Sequence, residues 1–318
     1  MTRQKGEPLK NVAASVKARL LSLAREQGEE FNSLLTRYVL ERFLHRLATS
    51  SHASDFVLKG AILFTVWSQK PHRATRDIDL LGYGSPDLER LRGVFRDICA
   101  VEVEDDGLRF DDSTVHAAPI REDAFYDGVR TTFLAFLGSA RVPVQVDVGF
   151  GDATEPAPVP VVLPTLLAHP APKLRGYRRE VAIAEKLHAM VDLGFSNSRM
   201  KDYFDIWFLS QHFAIDGGDL ALAIRSTFER RRTPVPLGVP SGLGGDFSGS
   251  AAKLAQWKAF IGRTRLAVEA PSLKETAESI SALVLPVFQA LAFHGSFSDA
   301  WPPGGPWRDT RVHGSFQI

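Results

Sequence analysis

The chain contains one short stretch, Arg73-Ala-Thr-Arg-Asp77-Ile-Asp79-Leu-Leu81, in which two aspartates alternate with other residues. Ile78–Leu81 predicts a buried strand, and the turn-forming residues Gly82–Gly84 follow it directly. Side chains two positions apart on a strand point the same way and lie about 6–7 Å apart, so we expect Asp77 and Asp79 on one face. Such a pair can share hard cations, because Mg²⁺ prefers a few carboxylate oxygens, waters and substrate phosphates.

A third carboxylate, Asp147, stands in the largely apolar, strand-like segment Val142–Val148. An aspartate inside a buried strand costs roughly several kcal/mol unless it is paired or binds a metal. On a strand next to that of the first pair, it would complete a clamp for two metal ions and an in-line displacement at phosphorus. The alternative is structural, since Asp-x-Asp sequences are common in turns and Arg76 or Arg141 could simply neutralise a carboxylate.

A junction between a strand and a helix precedes these carboxylates, at Leu58-Lys-Gly-Ala61. Such a junction presents backbone N–H groups to an anion, here a nucleotide triphosphate, although a glycine at this kind of turn often has no further role. The chain has no Gly-x-x-x-x-Gly-Lys-Ser/Thr sequence, so this is not a P-loop. The candidate nucleotide-binding residues in this half of the chain are Lys59, Gly60, Ala61, Thr75 and Arg76.

A second charged cluster is predicted on two helices of the C-terminal half. Lys186 lies beside an apolar helical stripe, which would partly desolvate it, and a lysine is a compact cation for a phosphate. Asp202 and Asp205 follow three residues apart at the start of the next helix. The simpler interpretation is a capping aspartate and a solvated lysine. Neighbouring helices joined by a short turn run antiparallel, which would put Asp202 some way along the first helix from Lys186.

The composition is that of a globular protein with a sizeable core, since 44% of the residues are hydrophobic, 24% are charged and the net charge is +1. The one cysteine, Cys99, excludes a disulfide framework and a cysteine-rich zinc module. The nine histidines form no His-x-x-x-His pair, so a zinc site is not expected. No apolar run of about 18 residues and no secretory signal is present, so we expect a soluble cytoplasmic protein with no membrane partner.

The periodicity of the apolar residues predicts an α/β (α+β) fold in four parts. Two N-terminal helices precede a mixed α/β core, in which the period drops to two between 108 and 149. The six prolines of 152–176 predict an irregular crossing segment, and the helical remainder is interrupted by a loop at 233–250. The parts are 1–50 (N-terminal helices), 51–160 (core), 161–293 (helical C-terminal domain) and 294–318 (irregular tail).

Taken in order, these motifs resemble the AbiEii/AbiGii toxin family of nucleotidyltransferases. The Asp-x-Asp piece alone is weakly specific, whereas the full ordered set is strongly specific, and the resemblance covers roughly residues 5–292. The matching segments are Leu58-Lys-Gly60, Arg73-x-Thr-x-Asp-Ile-Asp-Leu80, Val144-Gln-Val-Asp-Val-Gly-Phe-Gly-Asp152, Glu185-Lys-Leu-His-Ala189, Arg199-Met-Lys-Asp-Tyr-Phe-Asp205, Thr227-Phe-Glu-Arg-Arg-x-Thr233 and Gln256-Trp-Lys-Ala-Phe260.

The resemblance implies a DNA-polymerase-β-like nucleotidyltransferase core with a mixed sheet and a helical C-terminal domain. It implies that Asp77 and Asp79 bind Mg²⁺ or Mn²⁺, and that Asp147 is the third carboxylate of the superfamily. It also matches Lys186 and Asp202 to the family's later essential lysine and aspartate, beside which Asp205 is a candidate nucleotide contact. The chain departs from the family in one segment that would bind the triphosphate. Family members often have Lys-Gly-Gly-Thr where this chain has Lys59-Gly-Ala-Ile62.

The expected function is therefore that of a metal-dependent nucleotidyltransferase, the toxin of a toxin–antitoxin pair with a cognate antitoxin encoded nearby. Some family members transfer nucleotides, often pyrimidines, from NTP to the 3′ end of tRNA, so the resemblance makes tRNA the expected acceptor here. Lys186 would stabilise the charge of departing pyrophosphate. Two alternatives stay open: a nucleotidyltransferase that modifies a small molecule such as an antibiotic, and a non-catalytic nucleotide-binding module that works through partner contacts.

Overall fold

The structure, a computed structural model, describes residues 11–68, 73, 75–120, 128–264, 266, 268–293 and 295–310. The first ten residues of the predicted N-terminal part and the last eight residues of the predicted tail lie outside this part of the chain. The chain forms two compact units. The first takes the residues up to Gly151 together with Pro160–Gly176, and the second takes Asp152–Val159 together with the residues from Tyr177 onward. The predicted division into four parts is a different one and stays a prediction.

Two helices begin the first unit, α1 (Val12–Glu26) and α2 (Phe31–Thr49), as the apolar periodicity predicted. The carboxylate of Glu30 accepts two backbone N–H bonds at the start of α2, which satisfies donors that the first turn of a helix leaves unpaired. The ring of Phe43 packs against that of Phe133, with 4.8 Å between the centroids. Burial of α2 against aromatic side chains of the sheet thus forms the core of this unit.

The other elements of the first unit form a single mixed sheet with two helices. In chain order the described elements are β1 (Phe56–Lys59), α3 (Leu63–Ser68), β2 (Ile78–Gly82), α4 (Leu88–Cys99), β3 (Leu108–Ile120), β4 (Gly128–Leu137), β5 (Ala140–Phe150), β6 (Val159–Val162) and β7 (Lys173–Gly176). The strand order is β3-β4-β5-β2-β1-β7-β6. β2 runs parallel to β5 and β1 parallel to β7, whereas β1–β2, β3–β4 and β4–β5 are antiparallel. The predicted mixed sheet is confirmed.

The proline-rich segment 152–176 differs from the prediction. Two short strands, β6 and β7, lie in a segment that was expected to be irregular throughout. β6 forms the edge of the sheet and contains Pro160, which has no N–H to donate and is tolerated where one side of a strand is unpaired. A high proline content therefore excluded central strands here but not an edge strand.

The second unit is helical, as predicted. Its described elements are α5 (Arg179–Leu193), α6 (Met200–His212), β8 (Ile215–Asp216), α7 (Gly217–Arg230), α8 (Gly245–Gly249), α9 (Ala251–Arg263), α10 (Leu273–Ala292) and β9 (Ala300–Trp301). The short helix α8 lies inside the segment 233–250 that was expected to be loop. Among the described residues of both units, no helix combines the length and the apolar character that crossing a membrane requires.

Two tryptophans attach the C-terminal segment to the second unit. The indole N–H of Trp301 donates to the carbonyl of Ser210 at 2.8 Å, and that of Trp307 donates to the carbonyl of Leu283 at 2.9 Å. The two rings meet edge to face, and Trp301 is only 3% exposed. The described part of the predicted tail, 295–310, is thus mostly without regular structure but packs on the helices through these side chains.

We expect Trp301→Ala to lower the free energy of unfolding by roughly 3–5 kcal/mol, because the change leaves a cavity and removes one of the two donors to the carbonyl of Ser210. Urea denaturation followed by circular dichroism at 222 nm measures this. Trp301→Phe keeps most of the packing but loses the indole hydrogen bond. Loss of that bond should lower the free energy of unfolding by about 1 kcal/mol, in addition to a small loss from packing. A loss below about 1 kcal/mol in the alanine variant would contradict a structural role of this segment.

Candidate active site

Two of the predicted carboxylates lie side by side because of strand register. β2 and β5 pair in parallel, and Asp79 of β2 is directly opposite Asp147 of β5. Asp77 precedes β2 by one residue and therefore shares the side of Asp79. One oxygen from each of the three carboxylates lies within 4.8 Å of the others. The structure thus brings the three residues together, while their catalytic roles stay predictions.

Cationic residues continue this row on both sides. Lys59 of β1 is opposite Asp79, and Arg130 of β4 is opposite Asp147, so four neighbouring strands carry the sequence cation, carboxylate, carboxylate, cation. Carboxylates directly opposite each other repel, and a cation next to each of them offsets this repulsion. The side-chain hydroxyl of Thr75 donates to the carboxylate of Asp77 at 2.7 Å and so orients that carboxylate.

Arg130 is a site residue that the sequence did not reveal. Its Nε and Nη2 donate to the two oxygens of Asp147, both at 2.8 Å, and Gln145 Nε2 donates to one of these oxygens at 3.3 Å. Arg141, which was considered as a neutralising partner, is opposite Phe136 instead. A signal for Arg130 existed, because a two-residue hairpin turn at 138–139 fixes which residues of the two strands face each other.

Gly60 shapes the edge of the carboxylate cluster. Its φ is +72°, a conformation that side chains disfavour, and a Cβ at this position would overlap the carboxylate of Asp79. The turn after β1 can approach Asp79 only because residue 60 is glycine. The side chains of Ala61 and Ile62 are buried at 9% and 7% exposure, so the departure from Gly-Thr is accommodated by apolar packing.

The donor set of this cluster fits divalent cations. Three carboxylates supply the hard oxygen ligands that Mg²⁺ and Mn²⁺ take, and paired ions in such enzymes lie about 3.5–4 Å apart. Oxygens within 4.8 Å of one another can surround ions at that separation after small side-chain movements. Asp77, Asp79 and Asp147 are therefore the residues that could hold the metal.

A second charged cluster lies in the second unit. The ammonium Nζ of Lys186 on α5 is 2.7 Å from Asp202 Oδ1 and 2.9 Å from Asp205 Oδ2, both on α6. The lysine side chain is 15% exposed and those of Asp202 and Asp205 are 7% and 0% exposed. The expected separation of Asp202 from Lys186 is wrong, because the six residues of Gly194–Arg199 allow the start of α6 to pack beside the middle of α5. The alternative of a capping aspartate and a solvated lysine is also wrong, since the N-cap residue of α6 is Arg199 and the lysine side chain is only 15% exposed.

A buried histidine lies two residues along α5 from this lysine. His188 Nε2 is 2.8 Å from Thr233 Oγ1, and its Nδ1 is 3.1 Å from Arg231 Nη1. An arginine only donates, so Nδ1 accepts and the proton of the neutral ring is on Nε2. Arg231 in turn is 3.3 Å from Asp152. Burial, and then the charge of Arg231, lower the pKa of His188 to about 4.

The carboxylates Asp77, Asp79 and Asp147 belong to the first compact unit, and Lys186, Asp202 and Asp205 belong to the second. Three clustered carboxylates side by side on a mixed sheet are the kind of ligand set that two-metal enzymes of phosphoryl transfer use. A family model described as the nucleotidyl transferase AbiEii toxin of a type IV toxin–antitoxin system matches residues 42–279. The chain belongs to this AbiEii nucleotidyltransferase toxin family.

Two solved structures from the same bacterial species are similar to the chain. One is a candidate nucleotidyltransferase from H. pylori, with 16% sequence identity, a TM-score of 0.46, and coverage of 83% of this chain and 98% of its own. The other is JHP933 from Helicobacter pylori, with 15% identity, a TM-score of 0.46, and coverage of 83% and 95%. Among curated proteins, none matches the chain.

We expect Lys186→Met to lower the free energy of unfolding by roughly 3–5 kcal/mol, because Asp202 and Asp205 would each lose a buried ion pair. Urea denaturation followed by tryptophan fluorescence measures this. The matched control is Lys201→Met, which removes an exposed lysine from the same helix as the aspartates and should change stability by less than about 0.5 kcal/mol. If the two variants are equally stable, the ion pairs of Lys186 do not support the fold.

The buried histidine predicts a loss of stability in acid. Its pKa is about 4 in the folded protein and about 6.5 when unfolded, so the unfolded chain binds more protons between these values and stability falls as pH is lowered. The full shift corresponds to roughly 3 kcal/mol between pH 6.5 and 4. In His188→Gln this part of the pH dependence should vanish, whereas His116→Gln, which changes an exposed histidine, should keep it. Chemical denaturation at several pH values measures this. If the free energy of unfolding falls equally steeply with acid in the unchanged protein and in His188→Gln, the low pKa does not belong to His188.

Proposed function

We propose that this nucleotidyltransferase uses Mg²⁺ or Mn²⁺ held by Asp77, Asp79 and Asp147 to transfer a nucleotide from NTP to the 3′ end of tRNA. The observation that carries the proposal is the approach of three carboxylate oxygens to within 4.8 Å on adjoining strands. Like charges this close repel each other even with Lys59 and Arg130 beside them, and bound cations would relieve that repulsion, so the cluster favours a role in cation binding.

In this reaction the oxygen of the acceptor hydroxyl attacks the α-phosphorus of the NTP. The bond from that phosphorus to the oxygen bridging the β-phosphate breaks, and pyrophosphate leaves. When bound, the divalent ions supply Lewis-acid stabilisation of the phosphate charge and a lower pKa of the attacking hydroxyl. Asp77 and Asp79 would hold the ions with the triphosphate, and Asp147 would complete the ligand set and lower the pKa of the attacking hydroxyl, as a base or through the metal.

The nucleotide contacts follow from the edge of the same cluster. Lys59 is next to Asp79 in strand register, which puts its ammonium on the side where the triphosphate meets the carboxylates. The turn at Gly60 passes close to Asp79, and the backbone N–H of Ala61, the next residue, is the proposed phosphate contact. Thr75 acts indirectly, because it holds Asp77 in orientation, and Arg76 is exposed and available to a phosphate.

Roles in transfer for Lys186, Asp202 and Asp205 form a separate part of the proposal. The two carboxylates hold the lysine ammonium in one orientation, which is what a cation that stabilises departing pyrophosphate requires. The same contacts support the fold, so a loss of transfer in a Lys186 variant counts only where its stability has been measured. Lys186→Arg should restore transfer in part, since a guanidinium is larger and planar.

The family gives the chain an antitoxin partner, and we propose that the two are encoded together and meet in the cytoplasm, where tRNA and NTP are available. The acceptor is the least constrained part of the proposal. A small-molecule acceptor is the second candidate, and a module without catalytic activity is the third. Binding of RNA weakens steeply with salt, and binding of a neutral small acceptor does not, so salt dependence separates the first two.

The decisive experiment incubates the protein with each labelled NTP in turn, Mg²⁺ and total RNA, and separates the products on a denaturing gel. We expect one or two of the four labelled NTPs to label the tRNA band. Asp77→Asn and Asp79→Asn should each reduce labelling at least about 100-fold, or about 2.7 kcal/mol of transition-state stabilisation. Both variants should stay folded, and relief of repulsion between the carboxylates can raise their melting temperature.

The matched control for these variants is Asp112→Asn, which removes an exposed carboxylate from β3 and should leave labelling unchanged. Near-normal labelling in either cluster variant would refute the metal assignment. If the label appears on a small molecule and not on RNA, the acceptor is a small molecule and not tRNA. If no NTP gives any transfer, the result favours the non-catalytic module.

A further inference from the structure

We propose that Arg130 lowers the affinity of the carboxylate cluster for its divalent ions by competing with them for Asp147. The inference rests on the proposed function, because it takes Asp147 as a metal ligand. Arg130 would thereby keep the site largely free of metal until the anionic triphosphate arrives, and would act as a residue that tunes binding.

The geometry of the pair carries the first step. The guanidinium donates through two nitrogens to both oxygens of Asp147 at 2.8 Å, the forked arrangement that makes arginine–carboxylate pairs strong and directional. Gln145 adds a third donor on one of the same oxygens. An ion that binds Asp147 must either displace one of these hydrogen bonds or approach a carboxylate whose charge is already compensated.

The position of the pair in the sheet carries the second step. Asp147 lies between Arg130 on β4 and Asp79 on β2, in one row of directly opposed residues. The backbone register therefore holds the guanidinium next to the cluster, and an ion held by Asp79 and Asp147 has a fixed positive charge as a near neighbour. Repulsion between this charge and the ion weakens binding whether or not the hydrogen bonds break.

The exposure of Arg130 carries the third step. Its side chain is 42% exposed, whereas that of Asp147 is 18% exposed. The arginine side chain can therefore move away from Asp147 while its guanidinium stays in contact with solvent. The guanidinium can then bind a phosphate oxygen. Arg130 can thus exchange Asp147 for the triphosphate. Arrival of the nucleotide then frees Asp147 for the metal, so metal and nucleotide bind together.

The test measures binding of Mn²⁺ alone, by electron paramagnetic resonance of the free ion, with no nucleotide present. We expect Arg130→Gln to bind Mn²⁺ at least about fivefold more tightly than the unchanged protein. Arg130→Lys keeps the charge and loses the fork, and should lie between the two. Mn²⁺ should also raise the melting temperature of Arg130→Gln more than that of the unchanged protein.

The matched control is Arg141→Gln, which removes the same charge from the far end of β5, six residues from Asp147, and should change Mn²⁺ affinity less than twofold. Unchanged or weaker Mn²⁺ binding by Arg130→Gln would overturn the inference, since Arg130 would then be neutral or would orient Asp147 for the ion. Failure of the proposed function looks different: Asp79→Asn would then leave Mn²⁺ binding unchanged, both in the otherwise unchanged protein and in Arg130→Gln.

Discussion

The parallel pairing of β2 with β5 is the constraint on which the site depends. It puts Asp79 and Asp147 directly opposite each other, so their repulsion is built into the register of the sheet. That arrangement is tolerable because the same row continues with Lys59 on β1 and Arg130 on β4, one cation for each carboxylate. A slip of one residue in either strand would turn one carboxylate to the opposite face of the sheet, so the packing that fixes register also fixes the chemistry.

Much of the fold and part of the site could be predicted from local patterns. Apolar periodicity gave the helices of both units, and the alternation of β5 gave a strand with Asp147 on one face. What local patterns could not give was partnership between distant segments. Arg130 was missed because its role depends on hairpin register, and Asp202 was misplaced because helix packing, not connection length alone, decides where α6 begins relative to Lys186. The proline content of this segment does not predict the edge strand β6, because proline disfavours central strands but is tolerated at a sheet edge.

Lys186 shows how a family motif can serve stability and activity at once. Its ammonium is held by two carboxylates that are almost fully buried, so removal of the lysine would take a buried ion pair from each of them. A phenotype of a Lys186 variant is therefore ambiguous unless folding is measured in the same sample. The carboxylates of the first unit differ in this respect, because their close approach costs stability, and relieving it should leave the fold intact.

The attachment of the C-terminal segment has a consequence for synthesis on the ribosome. The sheet of the first unit needs β7, which ends at Gly176, whereas the second unit lacks its two indole contacts until Trp307 has been made. Translation adds about 5–20 residues per second, so the roughly 130 residues between these points take about 7–26 s. The carboxylate cluster can thus assemble well before the helical unit is complete, and a partner that recognises the first unit could bind the nascent chain during that interval.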